Sequence, residues 1–220
     1  SILLCFVLKI PQTRLLAHLD SQVSEGEKNS FLTLVERRCQ GQPIAYLTGQ
    51  CEFFSLPFKV NEACLIPRPE TELLVELILG HYPPNQPLRV LELGTGSGAI
   101  AVALSLKRPD WEITATDQSS KALSLAEENA KTLEAKVPFK QGDWFEALSE
   151  KEKFHMIVSN PPYLKNNDPH LQSSLKYEPQ SALIGGEMGT EALHLLIHKA
   201  PFHLLPQGRL WLEQGFDQAT

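Results

Sequence analysis

The sequence predicts an α/β fold in which a parallel sheet carries helices on both faces, preceded by a small helical region and a β-hairpin. Strand-like and helix-like segments alternate after a proline-rich break at residues 81–87, and a glycine-rich turn follows the first strand. Residues 1–42 show helical spacing instead. The predicted strands cover about 88–93, 112–117, 137–141, 154–159 and 208–213, and the predicted helices about 97–107, 119–132 and 189–204.

The first third of the chain is predicted to be helical and to end in a hairpin. Apolar side chains recur at helical spacing from its start, at Ile2, Leu3, Phe6 and Val7. Ser24 is a suitable N-cap for a later helix that stops near Gly41. Residues 51–60 have the pattern of a hairpin. The prolines at 67 and 69 precede another helix, which carries Leu73, Leu74, Leu77 and Ile78.

The composition is that of a globular protein with an acidic balance. Of 220 residues, 42% are apolar and 21% are charged, and 20 Lys and Arg stand against 26 Asp and Glu, a net charge of −6. Contacts to nucleic-acid phosphates need a basic surface, so this balance argues against nucleic-acid binding as the main activity. No apolar run approaches the roughly 20 residues of a membrane span, and no membrane partner is expected.

The cysteines and histidines give no indication of a metal site. Cys5, Cys39, Cys51 and Cys64 form no C-x-x-C pair, and we expect them to be buried free thiols in a reducing cytoplasm. His194 and His198 are four residues apart, a ligand spacing, but no third ligand accompanies them. The sequence therefore predicts no metal.

The glycine turn predicts a ligand-binding loop at the start of a helix, where free backbone N–H groups face outward. Two ligand classes are compatible with it. Gly94, Gly96 and Ala99 satisfy the dinucleotide fingerprint G-x-G-x-x-[G/A]. Gly94, Gly96 and Gly98 satisfy the tighter G-x-G-x-G, with an acidic residue, Glu92, before it. The turn alone leaves the choice nearly even.

The tighter pattern resembles motif I of the class I S-adenosylmethionine (SAM) methyltransferases. The resemblance implies that the loop wraps the methionyl and ribose parts of SAM through Glu92, Gly94, Thr95, Gly96, Ser97 and Gly98. Asp117 ends the second strand, where it can accept hydrogen bonds from the ribose hydroxyls, although NAD enzymes place an acid similarly. The same resemblance implies that Asp143 accepts from the adenine amine and that Trp144 lies against the ring.

Asn160-Pro161-Pro162-Tyr163 follows the fourth strand of the predicted sheet, at the edge where open α/β sheets bind ligands. The two prolines cannot continue a strand and stiffen the turn. They would fix the Asn160 side-chain carbonyl and the Pro161 main-chain carbonyl, and two converging acceptors match the two N–H groups of an –NH₂. Tyr163 can lie on the face of the flat group that carries it. In isolation, the tetrapeptide is also compatible with a merely rigid turn.

This tetrapeptide is typical of methyltransferases that modify planar amino nitrogens, either N6 of adenine or N5 of glutamine. Four further segments resemble the HemK/PrmC family, which methylates glutamine in peptide chain release factors: residues 66–72, 142–145, 177–179 and 182–189. The similarity runs from about residue 1 to 218. Several motifs in the same order favour the glutamine branch.

The resemblance implies a Rossmann-like class I methyltransferase sheet and three parts. These are a helical substrate-recognition domain over 1–48, a β-hairpin linker over 49–66 and a SAM-binding catalytic domain over 67–220. The family's helical bundle begins earlier and its sheet continues further, so we expect a chain that is incomplete at both ends.

The implied reaction transfers a methyl group from SAM to the glutamine N5 of the Gly-Gly-Gln loop of class 1 release factors and leaves S-adenosylhomocysteine. Asn160, Pro161 and Tyr163 are the implied catalytic residues. Pro162 is a further implied substrate contact, and Asn160 is also an implied cofactor contact. A cytoplasmic monomer without a direct nucleic-acid partner is expected.

Three other functions compete with this one. An adenine-N6 methyltransferase acting on DNA or RNA would need a basic groove, against the acidic balance. An NAD(P)-dependent oxidoreductase leaves the segment from Asn160 to Tyr163 unexplained. A non-catalytic SAM-binding or release-factor-binding module would have no need of the intact acceptor tetrapeptide.

Overall fold

The computed structural model describes residues 1–18 and 20–218. Leu19, within the predicted helical domain, and Ala219 and Thr220, at the end of the predicted catalytic domain, lie outside this description. The chain begins with four helices: α1 (Ile2–Leu8), α2 (Gln12–Ala17), α3 (Glu25–Cys39) and α4 (Ile44–Thr48).

Helix α3 begins where the sequence predicts. The Ser24 hydroxyl accepts a hydrogen bond from the Glu27 backbone N–H, and the Glu27 carboxylate accepts one from the Ser24 N–H. This reciprocal capping satisfies two helix-end donors and fixes the start of the helix. Helix α4, which was not predicted, starts after Pro43 and ends at Gly49, which has a positive φ of 72°. At five residues, α4 is too short to give a clear helical period.

The predicted hairpin is present as β1 (Gln50–Phe53) and β2 (Leu56–Lys59), paired antiparallel. Its two turn residues, Phe54 and Ser55, both have positive φ, as two-residue hairpin turns require. One face of the hairpin buries Phe53 and Phe58 in the main core. The Lys59 N–H donates to the Asn129 side-chain carbonyl at 2.8 Å, which ties the hairpin to the helix over Ser120–Thr132.

The central sheet has five parallel strands in the order β5-β4-β3-β6-β9, which confirms the predicted α/β class. The strands are β3 (Arg89–Leu93), β4 (Glu112–Asp117), β5 (Phe139–Gln141), β6 (Phe154–Ser159) and β9 (Leu204–Leu212). The strand order reverses direction between β3 and β6. A crevice therefore opens at the carboxyl ends of these two strands, which is where parallel sheets bind ligands.

Helices cover both faces of the sheet, as predicted. They are α5 (Pro69–His81), α6 (Ala99–Lys107), α7 (Ser120–Thr132) and α8 (Glu191–Lys199). Val90 and Val158 point into a core built with residues of α5, α6 and α7, whereas Leu91 and Ile157 point into a second core with Leu196 of α8. Side chains along a strand alternate between faces, so one strand can contribute to both cores.

Some element boundaries differ from the predicted ones. Strand β9 begins at Leu204, four residues early, because a register shift opposite Phe154 and Met156 lets it pair before the turn at Gln207 and Gly208. Residues 161–187, for which the sequence predicts neither strand nor helix, contain the paired strands β7 (Leu164–Lys165) and β8 (Ile184–Gly186). Strands of two or three residues are too short to show an alternating pattern.

Burial follows from the sequence only in part, and the prediction that all four cysteines are buried is wrong. Helix α5 buries Leu74 and Ile78, but Leu73 and Leu77 are more than half exposed. The four cysteines are free, as predicted, yet only Cys64 is buried, and Cys39 is exposed. Cys39 is the last residue of α3, and no residue of this helix is buried. The apolar residues near Cys39 in the sequence therefore do not enclose its side chain. Among the described residues, no helix combines the length and apolar character that a membrane crossing requires.

Candidate active site

The candidate site is a cleft at the carboxyl ends of β3, β4 and β6. Leu93 and Ser159 pair at the ends of β3 and β6, and the Ser159 hydroxyl donates to the Leu93 carbonyl at 2.7 Å. This bond holds the two strand ends together immediately before the glycine turn and the Asn160 tetrapeptide. The two segments that the sequence analysis singled out therefore line one cleft, of about 920 Å³ including its opening to solvent.

The glycine turn forms the base of the cleft. Gly94, Gly96 and Gly98 all have positive φ, and Gly98 caps the start of α6. A Cβ added at Gly98 would also lie 3.2 Å from the Ala126 Cβ, so both backbone and packing require glycine there. The Thr95 N–H donates to the Thr116 carbonyl at 2.9 Å, which fixes the turn against β4.

Asp117 lies at the end of β4 and closes one side of the turn. Its Oδ2 accepts from the Gly96 N–H and its Oδ1 from the Ser119 N–H, each at 2.9 Å. The carboxylate lines the cleft and is partly exposed. Each carboxylate oxygen can accept more than one hydrogen bond, so Asp117 retains acceptor capacity toward the cleft.

Glu92 is the most deeply buried acid of the site, with 2% of its surface exposed. Its Oε2 accepts from the Thr95 hydroxyl at 2.6 Å and from the Ala101 N–H at 3.0 Å, so it joins the turn to the first helical turn of α6. Burial raises the pKa of Glu92 to about 8, against the opposing effect of these two hydrogen bonds. Glu92 therefore both stabilises the glycine turn and lines the cleft.

The segment after β5 supplies the other wall of the cleft, which includes Gly142, Asp143 and Trp144. A Cβ at Gly142 would lie 2.6 Å from the Ala147 backbone nitrogen. The backbone at position 142 can therefore lie this close to Ala147 only because the residue is glycine. The Trp144 ring packs near the Gly94 backbone. An aromatic face, a carboxylate and bare backbone thus surround the same space.

Asn160 and Pro162 also line the cleft, whereas Pro161 is buried beside it. Tyr163 is partly buried and is not among the residues that line the cleft, and its hydroxyl is 3.4 Å from Glu213 Oε1. Burial, and then the Glu213 carboxylate, raise the pKa of Tyr163 above its usual value. Ser97 lines the cleft with the residues named above, whereas Gly98 acts behind it through the helix cap.

Three residues next to the predicted site were missed by sequence reasoning. Thr71 accepts a hydrogen bond from Asn160 Nδ2 at 3.0 Å and donates to Glu213 Oε2 at 2.7 Å. Glu178 accepts from the Ile66 N–H at 2.9 Å. Thr71 and Glu178 fall inside the segments 66–72 and 177–179 on which the family resemblance rested, which was the signal available for them. Glu213 had none.

The chemistry of the cleft fits a nucleoside-containing cofactor. The backbone of the glycine turn permits close approach, Asp117 offers acceptors for hydroxyl groups, and Trp144 offers a flat apolar face. Within the part of the chain that the structure describes, no cluster of three His, Cys, Asp or Glu side chains has the arrangement of a metal site.

Comparison with known proteins agrees with this architecture. Residues 1–49 match the family model of the PrmC N-terminal domain, and residues 70–177 match that of the methyltransferase small domain. Among solved structures, a methyltransferase from Pyrococcus furiosus covers 81% of this chain and 76% of its own, with a TM-score of 0.53 and 22% identity. A SAM-dependent methyltransferase from Agrobacterium tumefaciens covers 78% and 53%, with a TM-score of 0.56 and 17% identity. At these identities, the likeness shows the fold alone.

Curated relatives show the family. The release factor glutamine methyltransferase of Coxiella burnetii is 47% identical over 219 residues, which are 99% of this chain and 78% of the relative. Those of Aliivibrio fischeri and Escherichia coli are 45% and 46% identical and cover 99% and 94% of this chain, and 77% and 75% of the relatives. With such identity along nearly its whole length, and with the cleft residues in place, the chain belongs to the release factor glutamine methyltransferase family.

Proposed function

We propose that this protein transfers a methyl group from SAM to N5 of the glutamine in the Gly-Gly-Gln loop of class 1 peptide chain release factors, and releases S-adenosylhomocysteine. The observation that carries the proposal is that the glycine turn and Asn160 line one cleft, directly after two paired strands. The names of the relatives support the substrate.

In this proposal, the residues of the cofactor half of the cleft have the roles that the family resemblance implies. Asp117 would accept from the ribose hydroxyls, and the backbone from Gly94 to Ser97 would surround the methionyl part, with Gly98 holding the turn through the helix cap. Asp143 and Trp144 hold the adenine. Glu92 shapes the turn from behind by its bonds to Thr95 and Ala101. When bound, SAM supplies an electrophilic methyl group on a positively charged sulfur.

The substrate half of the cleft positions a poor nucleophile. The lone pair of a glutamine amide nitrogen is delocalised into its carbonyl, so placement is the main resource of the enzyme. Asn160 Oδ1 and the Pro161 carbonyl accept the two N–H groups and turn the nitrogen toward the methyl donor. Such orientation can lower a barrier by roughly 7–11 kcal/mol. The two acceptors also stabilise the positive charge that grows on the nitrogen.

No strong general base is required, because the nitrogen proton becomes acidic once the methyl group has been transferred. In this proposal, Pro162 contributes to the cleft wall against which the substrate amide lies. Tyr163, the next residue, restricts the plane of the amide from beside the cleft. The Glu213 carboxylate behind Tyr163 keeps the ring in place through its hydroxyl. The protein residues therefore hold and orient the substrate instead of activating it chemically.

The three predicted parts of the chain have distinct roles in this proposal. Residues 1–48 contact the release factor, 49–66 link this region to the catalytic part, and 67–220 carry out the transfer. The protein acts as a monomer in the cytoplasm, where its four free cysteines remain reduced. No direct contact with nucleic acid is required.

Incubation with methyl-labelled SAM and an intact release factor tests the proposal. Label is expected on the Gly-Gly-Gln glutamine, located by mass spectrometry of the peptide, and should be lost when that glutamine is replaced by asparagine. Parallel incubations with DNA and RNA test the adenine-N6 alternative, which the shared tetrapeptide favours and the net charge of −6 opposes. Label in nucleic acid without label in the release factor would overturn the proposal.

A further inference from the structure

At the cleft, three polar side chains from distant parts of the chain form a continuous hydrogen-bonded series, of which Asn160 and Thr71 line the cleft. Asn160 Nδ2 donates to Thr71 Oγ1 at 3.0 Å, and Thr71 Oγ1 donates to Glu213 Oε2 at 2.7 Å. Thr71 lies in the first turn of α5, Asn160 follows β6 and Glu213 follows β9. The Glu213 backbone N–H donates to the Ser159 carbonyl at 3.1 Å, which holds this residue beside the tetrapeptide.

The order of donors and acceptors in this series is set by the chemistry of its members. Burial raises the pKa of Glu213 above its ordinary value. Above that pKa the ionised carboxylate can only accept, so Glu213 takes the single hydroxyl hydrogen of Thr71. The Thr71 oxygen then has only lone pairs to offer to its second partner, Asn160, and it must accept a hydrogen bond from that residue. Only the N–H face of the Asn160 amide can satisfy it. The carbonyl oxygen of that amide therefore has to point the opposite way.

Burial makes this arrangement restrictive. Thr71 is 4% exposed, so water does not readily replace a lost partner of its hydroxyl. Glu213 is partly buried, and its second oxygen faces the Tyr163 hydroxyl at 3.4 Å. One carboxylate thus lies behind both polar side chains of the Asn160 to Tyr163 segment.

We propose that Glu213, acting through the Thr71 hydroxyl, fixes the Asn160 amide with its carbonyl oxygen toward the substrate, and that both are positioning residues for methyl transfer. The inference rests on the proposed function for its catalytic consequence. A reversed Asn160 amide would present N–H groups to the glutamine –NH₂, and donor would face donor. Without the series, the hydrogen bonds that hold the amide in this orientation are lost, and orienting the amide adds their free energy to the barrier for methyl transfer.

The principal test compares Thr71→Val with Thr71→Ser. Valine keeps the shape but removes the hydroxyl, whereas serine restores it. Thr71→Val is expected to lower kcat by about 10- to 100-fold, the effect of one or two lost hydrogen bonds, with SAM affinity unchanged by calorimetry. Thr71→Ser should keep most of the activity. Thr132→Val, at an exposed helical position with its own hydroxyl bond, is the matched control and should behave as the unmodified enzyme.

Glu213→Gln tests the origin of the polarity. A glutamine amide can donate or accept, so the Thr71 hydroxyl loses its fixed direction and kcat should fall. Combining it with Thr71→Val should add little, because both changes break one series. Fully additive losses would show that the two residues act separately and would overturn the proposal.

A readout independent of turnover is the side-chain amide signal of Asn160 in protein labelled with ¹⁵N-asparagine. We expect slow exchange of its hydrogen-bonded proton in the unmodified protein and in Thr71→Ser, and fast exchange in Thr71→Val. Unchanged exchange and unchanged kcat in a folded Thr71→Val protein would overturn the inference while leaving glutamine methylation intact. If exchange responds as expected but release factor is never methylated, the positioning series stands and the proposed function fails.

Discussion

Arg68 forms a 2.5 Å ion pair with Glu178, a residue 110 positions later in the chain. Glu178 is 4% exposed, and its second oxygen accepts from the Ile66 N–H at 2.9 Å. The pair therefore joins the proline-rich segment before α5 to the segment that follows the Asn160 tetrapeptide. Both segments flank the cleft, through Pro67 on one side and Pro179 on the other.

Replacing Glu178 with alanine is expected to destabilise the protein by roughly 3 kcal/mol, the low end for breaking a buried pair, because Arg68 keeps some access to water. Urea unfolding measures the change. Glu25→Ala is the control, because the Glu25–Lys28 pair is exposed and should contribute less than about 1 kcal/mol. Equal effects of the two variants would contradict the structural role given to Glu178.

Asp117→Ala is expected to weaken SAM binding. The substitution removes the acceptors for the ribose hydroxyls and also releases the Gly96 and Ser119 N–H groups. Loss of one or two charged hydrogen bonds corresponds to about a 10- to 100-fold increase in Kd by calorimetry. Asp110→Ala, at an exposed position, should leave the affinity as it was. An unchanged Kd in Asp117→Ala would remove Asp117 from the cofactor site.

Asn160→Ala is expected to separate catalysis from cofactor binding. Loss of the acceptor for the substrate amide should cost on the order of 3 kcal/mol of transition-state stabilisation, while SAM still binds. Single-turnover kinetics on a folded release factor, together with calorimetry of SAM, measure the two effects. Full turnover in this variant would show that the proposed mechanism is wrong.

Glu92 predicts a pH dependence of stability. Its pKa is raised from an ordinary 4.5 to about 8, so the folded state binds this proton more tightly than the unfolded state. The contribution is fully present below pH 4.5 and is lost as the pH rises toward 8, since the unfolded state ionises first. The total is on the order of a few kcal/mol.

Urea unfolding of the unmodified protein and of Glu92→Gln across this pH range tests the prediction. The free energy of unfolding should decline with pH more steeply in the unmodified protein, because glutamine does not titrate. Parallel pH profiles for the two proteins would show that Glu92 titrates normally in the folded state.

Gly185→Ala is expected to damage catalysis by moving the tetrapeptide. A Cβ at this position would overlap the Pro162 carbonyl oxygen and would lie 2.7 Å from the carbonyl oxygen of Gly189. Both are backbone atoms, so the segment after Asn160 has to shift, and kcat should fall by at least about 10-fold while SAM affinity is retained. A displaced tetrapeptide lowers kcat because the rate depends strongly on how the substrate amide is oriented toward the methyl donor.

Gly80→Ala provides the matched control for Gly185→Ala. Gly80 lies within helix α5, and a Cβ there meets no atom within 4 Å. The substitution should raise stability by roughly 0.5–1 kcal/mol through helix propensity and leave kcat unchanged. A Gly185→Ala enzyme as active as Gly80→Ala would contradict the close contact with Pro162.

The sequence predicts the sheet and its main helices because apolar residues are spaced differently in strands and in helices. Strands β3 and β6 are mainly apolar, α7 alternates over a helical period, and glycines and prolines lie between these elements. The glycine turn and Asn160 could be placed in one cleft because the carboxyl ends of parallel strands meet at one edge of the sheet. Helix α4 and strands β7 and β8 have too few residues for either period.

Partners across the fold could not be predicted in this way. The bonds of Thr71 to Asn160 and to Glu213 join residues 89 and 142 positions apart, and no local pattern encodes such pairs. Leu73 and Leu77 follow the same apolar spacing as Leu74 and Ile78, yet only the latter two face the core. The direction in which α5 packs decides which of them is buried.

The central claim is that one cleft holds the cofactor in one half and the substrate glutamine in the other. The most direct test is a crystal structure with S-adenosylhomocysteine and a release factor or its Gly-Gly-Gln peptide. We predict that the glutamine amide nitrogen lies within hydrogen-bond distance of Asn160 Oδ1 and the Pro161 carbonyl, on the side facing the cofactor sulfur. A glutamine side chain bound elsewhere, with Asn160 occupied by packing or turned away from the cofactor, would contradict it.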